Sequence, residues 1–224
     1  LENLTELSGR LLINNNNSLK TLYGLENIDP GTLTQLYITG NDSLSTCHVE
    51  SICNFLAASG SNINIADNAD GCNGYIEVVY HCGITLPCDQ PSYEFEIQSD
   101  IDLFPAVFPD CHDLTGDVTI HGEEITNLNG LYTIQTIGGY LDIVSNKRLD
   151  NLAGLENLSM VGDYLKIYNN DSLTSLTGLE GLTYTGDYLS IQQNKLLVNL
   201  AGLNQLENIG RFLSIYRNES LVSL

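Results

Sequence analysis

Five columns of residues recur at one interval through the last third of this chain, and that interval limits the fold more than any other feature. Leu141, Leu165, Leu189 and Leu213 stand 24 residues apart, and so do Ile143, Ile167, Ile191 and Ile215. Asn146, Asn170, Asn194 and Asn218 keep the same step, followed by Leu149, Leu173, Leu197 and Leu221, and by Leu152, Leu176, Leu200 and Leu224. Gly154, Gly178 and Gly202 come next, each with a Leu behind it. A fixed period of this size marks a supersecondary unit that buries its apolar face only by stacking on copies of itself. The expectation is a mainly β chain: a right-handed β-solenoid of ~24-residue rungs with short helical caps.

Within a rung, Leu-x-Ile alternation predicts a short strand with both residues on one face. Successive rungs then lay parallel strands side by side, Leu and Ile inward. The Asn three residues after the Ile carries two amide donors and a carbonyl acceptor, enough to bond backbone groups that the bend leaves unpaired. The predicted ladder comprises Asn16, Asn41, Asn68, Asn146, Asn170, Asn194 and Asn218. The Gly before Leu155, Leu179 and Leu203 permits a tight corner.

The same phrase appears near the start. Leu11-x-Ile13, Asn16, Leu19, Leu22 and Gly24-Leu25 make one unit, and Leu36-x-Ile38 with Asn41 opens the next after a step of 25. Asp29-Pro30-Gly31 is a natural turn to hold the extra residue. The pattern breaks at Cys47. Val49 to Ala58 has helical apolar spacing, Ile63-x-Ile65 with Asn68 repeats the strand phrase, and Ile76 to Tyr80 predicts a second short helix. These pieces read as a lid over the raw apolar end of a stack. Ile84 to Pro91 reads as a linker, and Asp100 is placed to cap a short helix through Phe108 that Pro105 disturbs. Val118-x-Ile120 opens a second stack. The predicted organisation is residues 1–82 as the C-terminal part of a first solenoid with its cap, 83–91 as linker, and 92–224 as a second solenoid with an N-terminal cap, truncated at its C terminus. A chain that starts at Leu1 and stops at Leu224, each inside a repeat, reads as a segment of a longer mature protein.

Eight Lys and Arg against 28 Asp and Glu give a formal charge of -20. That surface repels phosphate backbones and anionic lipid, so nucleic acid is not an expected partner. No apolar run reaches the ~18 residues of a bilayer span, so no direct membrane insertion is expected. All six cysteines, Cys47, Cys53, Cys72, Cys82, Cys88 and Cys111, lie in the non-repeating middle. An even count there predicts disulfides and an extracellular, secreted or cell-surface setting. Spacing does not fix their pairing. The preferred assignment joins Cys88 to Cys111 as the second stack's opening staple, with Cys53–Cys82 and Cys47–Cys72 in the lid. Catalysis finds little support: His48, His81, His112 and His121 lack a paired nucleophile, and no GxSxG or HExxH occurs. Asp67 to Gly71 lacks the acidic spacing of a calcium loop. No cofactor or metal is expected.

Leu-x-Ile-x-x-Asn-x-x-Leu-x-x-Leu-x-Gly-Leu, with a trailing apolar pair and a Gly before the next strand, resembles the receptor L-domain repeat, a leucine-rich-repeat relative. Cys47, Cys53, Asn68, Gly71-Cys72 and Cys82 resemble the cysteine caps of bacterial secreted leucine-rich-repeat proteins, especially those of Bacteroidetes surfaces. The resemblance implies a ligand-binding or adhesive role, with protein or glycan as ligand at a cell surface. No receptor kinase or furin-like cysteine segment accompanies it, so signalling is not implied.

Alternation puts three columns on the outer face of the strands: Tyr140, Tyr164, Tyr188, Phe212; Asp142, Lys166, Ser190, Ser214; and Val144, Tyr168, Gln192, Tyr216. The first column reads either as a ladder stabilising the sheet or, since tyrosine offers broad contact area with a polar tip, as part of a binding face. Tyr168 and Tyr216 stand in a non-uniform column, where specificity is written on a regular scaffold. The candidate ligand-binding set is therefore Tyr140, Tyr164, Tyr168, Tyr188, Lys166, Gln192, Phe212, Tyr216 and Arg217. Six N-glycosylation sequons, at Asn3, Asn16, Asn41, Asn157, Asn170 and Asn218, put four of their Asn in the ladder column, where a glycan has no room. The expected function is a non-enzymatic extracellular recognition or adhesion scaffold. The alternatives are a structural surface-layer or filament component acting as a spacer, with self-association, and a polysaccharide-active enzyme, for which the outer columns offer Asp142 as their one acid.

Overall fold

The computed structural model describes residues 1–58 and 62–224. They form two compact units, Leu1–Leu86 and Pro87–Leu224.

The first unit holds three parallel strands, β1 (Gly9–Asn14), β2 (Leu33–Asn41) and β3 (Ile63–Asn68). Leu11 and Ile13 pair with Leu36 and Ile38, which pair in turn with Ile63 and Ile65. Gly9 pairs with Leu33 but Arg10 with Gln35, so the extra residue of the 25-residue step is Thr34, bulged within β2 rather than held at Asp29-Pro30-Gly31. Helix α1 (Glu50–Ala58) buries Ile52, Phe55 and Leu56, and its buried Ser51 hydroxyl donates to the Leu25 carbonyl at 2.7 Å. Helix α2 (Tyr75–His81) buries Ile76, Val78 and Val79. Disulfides Cys47–Cys72 and Cys53–Cys82 tie these pieces together.

The second unit contains two parallel sheets. One has six strands, β4 (Ser92–Phe95), β6 (Asp117–Ile120), β8 (Leu141–Val144), β10 (Leu165–Tyr168), β12 (Leu189–Gln192) and β14 (Leu213–Tyr216). The other has five two-residue strands: β5 (Asp113–Leu114), β7 (Thr136–Ile137), β9 (Met160–Val161), β11 (Tyr184–Thr185) and β13 (Asn208–Ile209). Leu141 pairs with Leu165 and Leu165 with Leu189, so neighbouring strands stand one 24-residue step apart. Leu141, Ile143, Leu149, Leu152, Leu165, Ile167, Leu173 and Leu176 are wholly buried. Each such side chain contributes about 1.5–3 kcal/mol relative to exposure.

Helix α3 (Gln98–Val107) covers the β4 end with Phe104 against Phe95 and Tyr93. Asp100 lies one turn inside its start, where its carboxylate accepts from the Glu96 and Ile97 amides at 3.1 and 3.3 Å. Pro105 is accommodated within the helix. It has no N–H for the Ile101 carbonyl, and Gly130 approaches that oxygen so closely that a Cβ would lie 1.8 Å from it. Disulfide Cys88–Cys111 closes this region.

The expectation of a mainly β, right-handed leucine-rich-repeat-like, receptor L-domain-like β-solenoid is overturned. The described residues form three separate parallel sheets from 14 short strands, with three α-helices, an α/β-like arrangement that does not close into a solenoid. The reason is local. A 24-residue repeat spends four residues in one strand and two in another, as in β10 and β11, and the rest in turns. The leucine stretch between them runs through turns such as Leu179 N–H to Leu176 carbonyl (3.1 Å) and Leu182 N–H to Leu179 carbonyl (3.0 Å), and it meets the neighbouring repeat through scattered backbone bonds outside any strand, such as Thr174 N–H to the Asp150 carbonyl at 2.9 Å. Leu-x-Ile periodicity reports a strand but says nothing of what joins it to the next.

Candidate functional site

The outer face of the six-stranded sheet rests on an asparagine ladder. Asn146 N–H donates to Asn170 Oδ1 at 3.0 Å, and its Nδ2 donates to the Ile120 carbonyl at 2.9 Å. Asn170 repeats this toward Asn194 (3.1 Å) and Ile143 (2.9 Å), and Asn194 toward Asn218 (2.9 Å) and Ile167 (3.0 Å). Asn146, Asn170 and Asn194 are wholly buried. The residue before each ladder Asn is left-handed: Ser145, Asn169, Gln193 and Arg217 have φ of 55–58°. That turn swings the amide inward beneath the strand end. Gly122 occupies the ladder position of the first repeat because a Cβ there would lie 2.1 Å from the Glu96 carbonyl oxygen; its N–H still donates to Asn146 Oδ1 at 3.0 Å. Gly154, Gly178 and Gly202 combine a φ of 110–114° with backbone contact that admits no side chain.

In the first unit Asn16 N–H donates to Asn41 Oδ1 (2.9 Å) and Asn41 N–H to Asn68 Oδ1 (3.1 Å). There the ladder stops. Asn68 N–H donates to Asn73 Oδ1 at 3.1 Å, and the Asn73 N–H donates to the buried Glu77 carboxylate at 2.7 Å. Of the sequon Asn in the ladder, Asn41 and Asn170 are buried while Asn16 is exposed.

Tyr140, Tyr164, Tyr188 and Phe212 stack in one file. Their ring centroids are 4.9, 4.5 and 4.9 Å apart and successive planes lie within 4–10° of parallel. The faces of Tyr164 and Tyr188 are taken by their neighbours, which leaves their edges toward solvent. Burial, with Asp142 and the neighbouring tyrosines adding to it, pushes the Tyr164 hydroxyl well above the usual range, and burial then Asp142 raises Tyr188. Asp142 lies half-buried beside the file; burial raises its carboxyl, Lys166 opposes this and Asp117 reinforces it.

The other column has a different character. Tyr168, Gln192 and Tyr216 occupy one register position on three adjacent strands. Gln192 lies flat, its Nε2 donating to Ser190 (2.8 Å) and Ser214 (3.2 Å). Tyr168 is partly exposed and Tyr216 is 51% exposed, and no ring is stacked on either among the described residues. The Lys166 ammonium lies 5.3 Å from the Tyr168 ring centre, and the Arg217 guanidinium 5.0 Å from that of Tyr216. The nine candidate residues thus form two groups along the six-stranded sheet: a stacked file of Tyr140, Tyr164, Tyr188 and Phe212, each just before its strand, and an open group of Lys166, Tyr168, Gln192 and Tyr216 on the strands with Arg217 in the turn that follows β14.

Sequence reasoning passed over β4, although Tyr93-x-Phe95 alternates like Leu-x-Ile and lies 25 residues before Val118-x-Ile120, with which it pairs. It also passed over Asn73 and Glu77, which no column flags.

Comparison with protein-family models, curated proteins and solved structures finds no match to this chain. Its three disulfides fit a secreted, disulfide-bonded protein. No described helix is long and apolar enough to cross a membrane.

Proposed function

We propose that the outer face of the six-stranded sheet is a non-enzymatic recognition surface that captures a protein or glycan outside the cell or at its surface. The carrying observation is the open column: Tyr168 and Tyr216 stand unstacked over a floor pinned by Gln192, on a sheet whose own hydrogen bonding is satisfied beneath them. A rigid scaffold with exposed aromatic anchors keeps the ordering cost of binding low. The satisfied ladder supplies the rigidity, and the file of stacked rings forms a wall beside the open column. An overall charge of -20 disfavours nucleic acid as the ligand.

The test is an array of glycans and extracellular proteins probed with the full chain and with a Tyr168→Ser, Tyr216→Ser double variant. Capture by the parent protein and its loss in the folded double variant is expected; equal capture by both overturns the assignment of this face. Ordered self-assembly of the parent without capture of any ligand favours the spacer reading instead.

A further inference from the structure

The cations of the second unit follow a pairing rule, and the exceptions to it point to a ligand class. The unit carries six Lys and Arg. Four of them bond a carboxylate 24 residues earlier: Lys147 with Glu123, Arg148 with Glu124, Lys195 with Asp171 at 3.4 Å and Arg211 with Asp187 at 3.4 Å. The remaining two, Lys166 and Arg217, make no such ion pair among the described residues. For Arg217 the residue one step back is Gln193, which carries no charge. For Lys166 it is Asp142, on the neighbouring strand, yet the ammonium leans over Tyr168 instead. Both exceptions lie against the two open tyrosines.

We propose that this face takes an acidic glycan, with a saturated sugar ring between Tyr168 and Tyr216 and its anionic substituent held by Lys166 and Arg217. The inference rests on the recognition reading above and names its ligand. Two strand spacings separate the tyrosines, roughly 9.6 Å. Carbon contacts of about 3.5–4.0 Å on either side leave about 2 Å between them, which suits a puckered ring and is too wide for a flat one. A cation over an exposed tyrosine gains less than one in a charge-assisted hydrogen bond. An arriving carboxylate or sulfate therefore draws Lys166 and Arg217 off the rings and frees the ring faces for the sugar. Carboxylates elsewhere on the acidic chain are screened beyond about 8 Å at physiological salt, which leaves Asp142, partly offset by Lys166, as the acid next to this pair of cations.

The experiment measures retention of the full chain by polygalacturonate, its methyl ester, dextran sulfate and neutral dextran at about 0.15 M salt. Polygalacturonate is expected to retain the protein at least tenfold more strongly than its methyl ester. Lys166→Gln, Arg217→Gln and Tyr168→Ala should each weaken this by about tenfold, with melting temperatures unchanged, while Lys147→Gln leaves it intact. Retention by dextran sulfate with the same variant pattern supports the shared anionic chemistry and assigns the group to sulfate as well. Equal retention by ester and acid, or indifference to Lys166→Gln and Arg217→Gln, overturns the anionic inference while leaving glycan recognition standing. Capture of a protein but of no polysaccharide, abolished by Tyr168→Ala, overturns the glycan and keeps the recognition face. Capture of nothing removes both.

Discussion

Two columns of aromatic side chains share one sheet and differ in what satisfies them. Tyr140, Tyr164, Tyr188 and Phe212 meet one another face to face at 4.5–4.9 Å. Tyr168 and Tyr216 are kept apart by Gln192 and meet only a cation each. Strand spacing of about 4.8 Å suits ring-on-ring stacking, so identical aromatics on adjacent strands consume their own binding surface. One interrupted position is enough to leave the faces open. Uniformity along this scaffold builds the sheet, and departure from it makes a surface with something left to bind.

The sharpest way to break the comparison is to remove the support that both columns share. Asn170→Ala strips the buried Ile143 carbonyl and Asn146 amide of their partners and should cost about 3 kcal/mol or more in chemical denaturation. A cost under about 1 kcal/mol would show that the ladder does not hold the sheet. Next, Tyr164→Ala opens a gap in the file and should cost about 2 kcal/mol, whereas Tyr168→Ala should stay within about 0.5 kcal/mol of the parent. Equal costs would erase the distinction between the columns. Ultraviolet titration of the tyrosines gives a finer reading: Tyr164 and Tyr188 should ionise above the ordinary 10.0, and Tyr164→Phe should remove the most resistant of these transitions. The smallest effect belongs to Asp142. Its folded carboxyl is raised above 3.8, so its favourable contribution is present below 3.8 and lost as pH rises through the raised value. Asp142→Asn should therefore raise the melting temperature slightly at pH 7 and leave it unchanged below pH 3.8.

Register was legible in the sequence because it depends on period alone: the columns that align Leu141, Leu165 and Leu189 are the pairs that bond. The six cysteines were legible as staples for a similar reason, since they fall only where the columns fail. The connections were not. Turn-by-turn leucine contacts carry no sheet signature, and the expectation of a closed solenoid came from extending the strand signal across them. The left-handed column of Ser145, Asn169, Gln193 and Arg217 was hidden because no chemistry unites those side chains; they share only a backbone angle. Within the candidate site, alternation put eight of the nine residues in outward columns; Arg217 belonged to none of them. Alternation could not tell a ring that stacks on its neighbour from one that does not, because that depends on the residue one strand away, at Gln192.

Each ladder asparagine hands on the same pair of contacts that it receives, so the series has no intrinsic length. It behaves like a polymerisation in which every monomer presents the same reactive end. Asn73 and Glu77 are the terminating reagent: Asn73 accepts from Asn68 as another ladder member would, and its own amide is then quenched by a helical carboxylate instead of a further asparagine. Spliced copies of the 24-residue unit should therefore propagate between Leu141 and Leu213 without redesign, while the number of copies is set by where such a terminator is written.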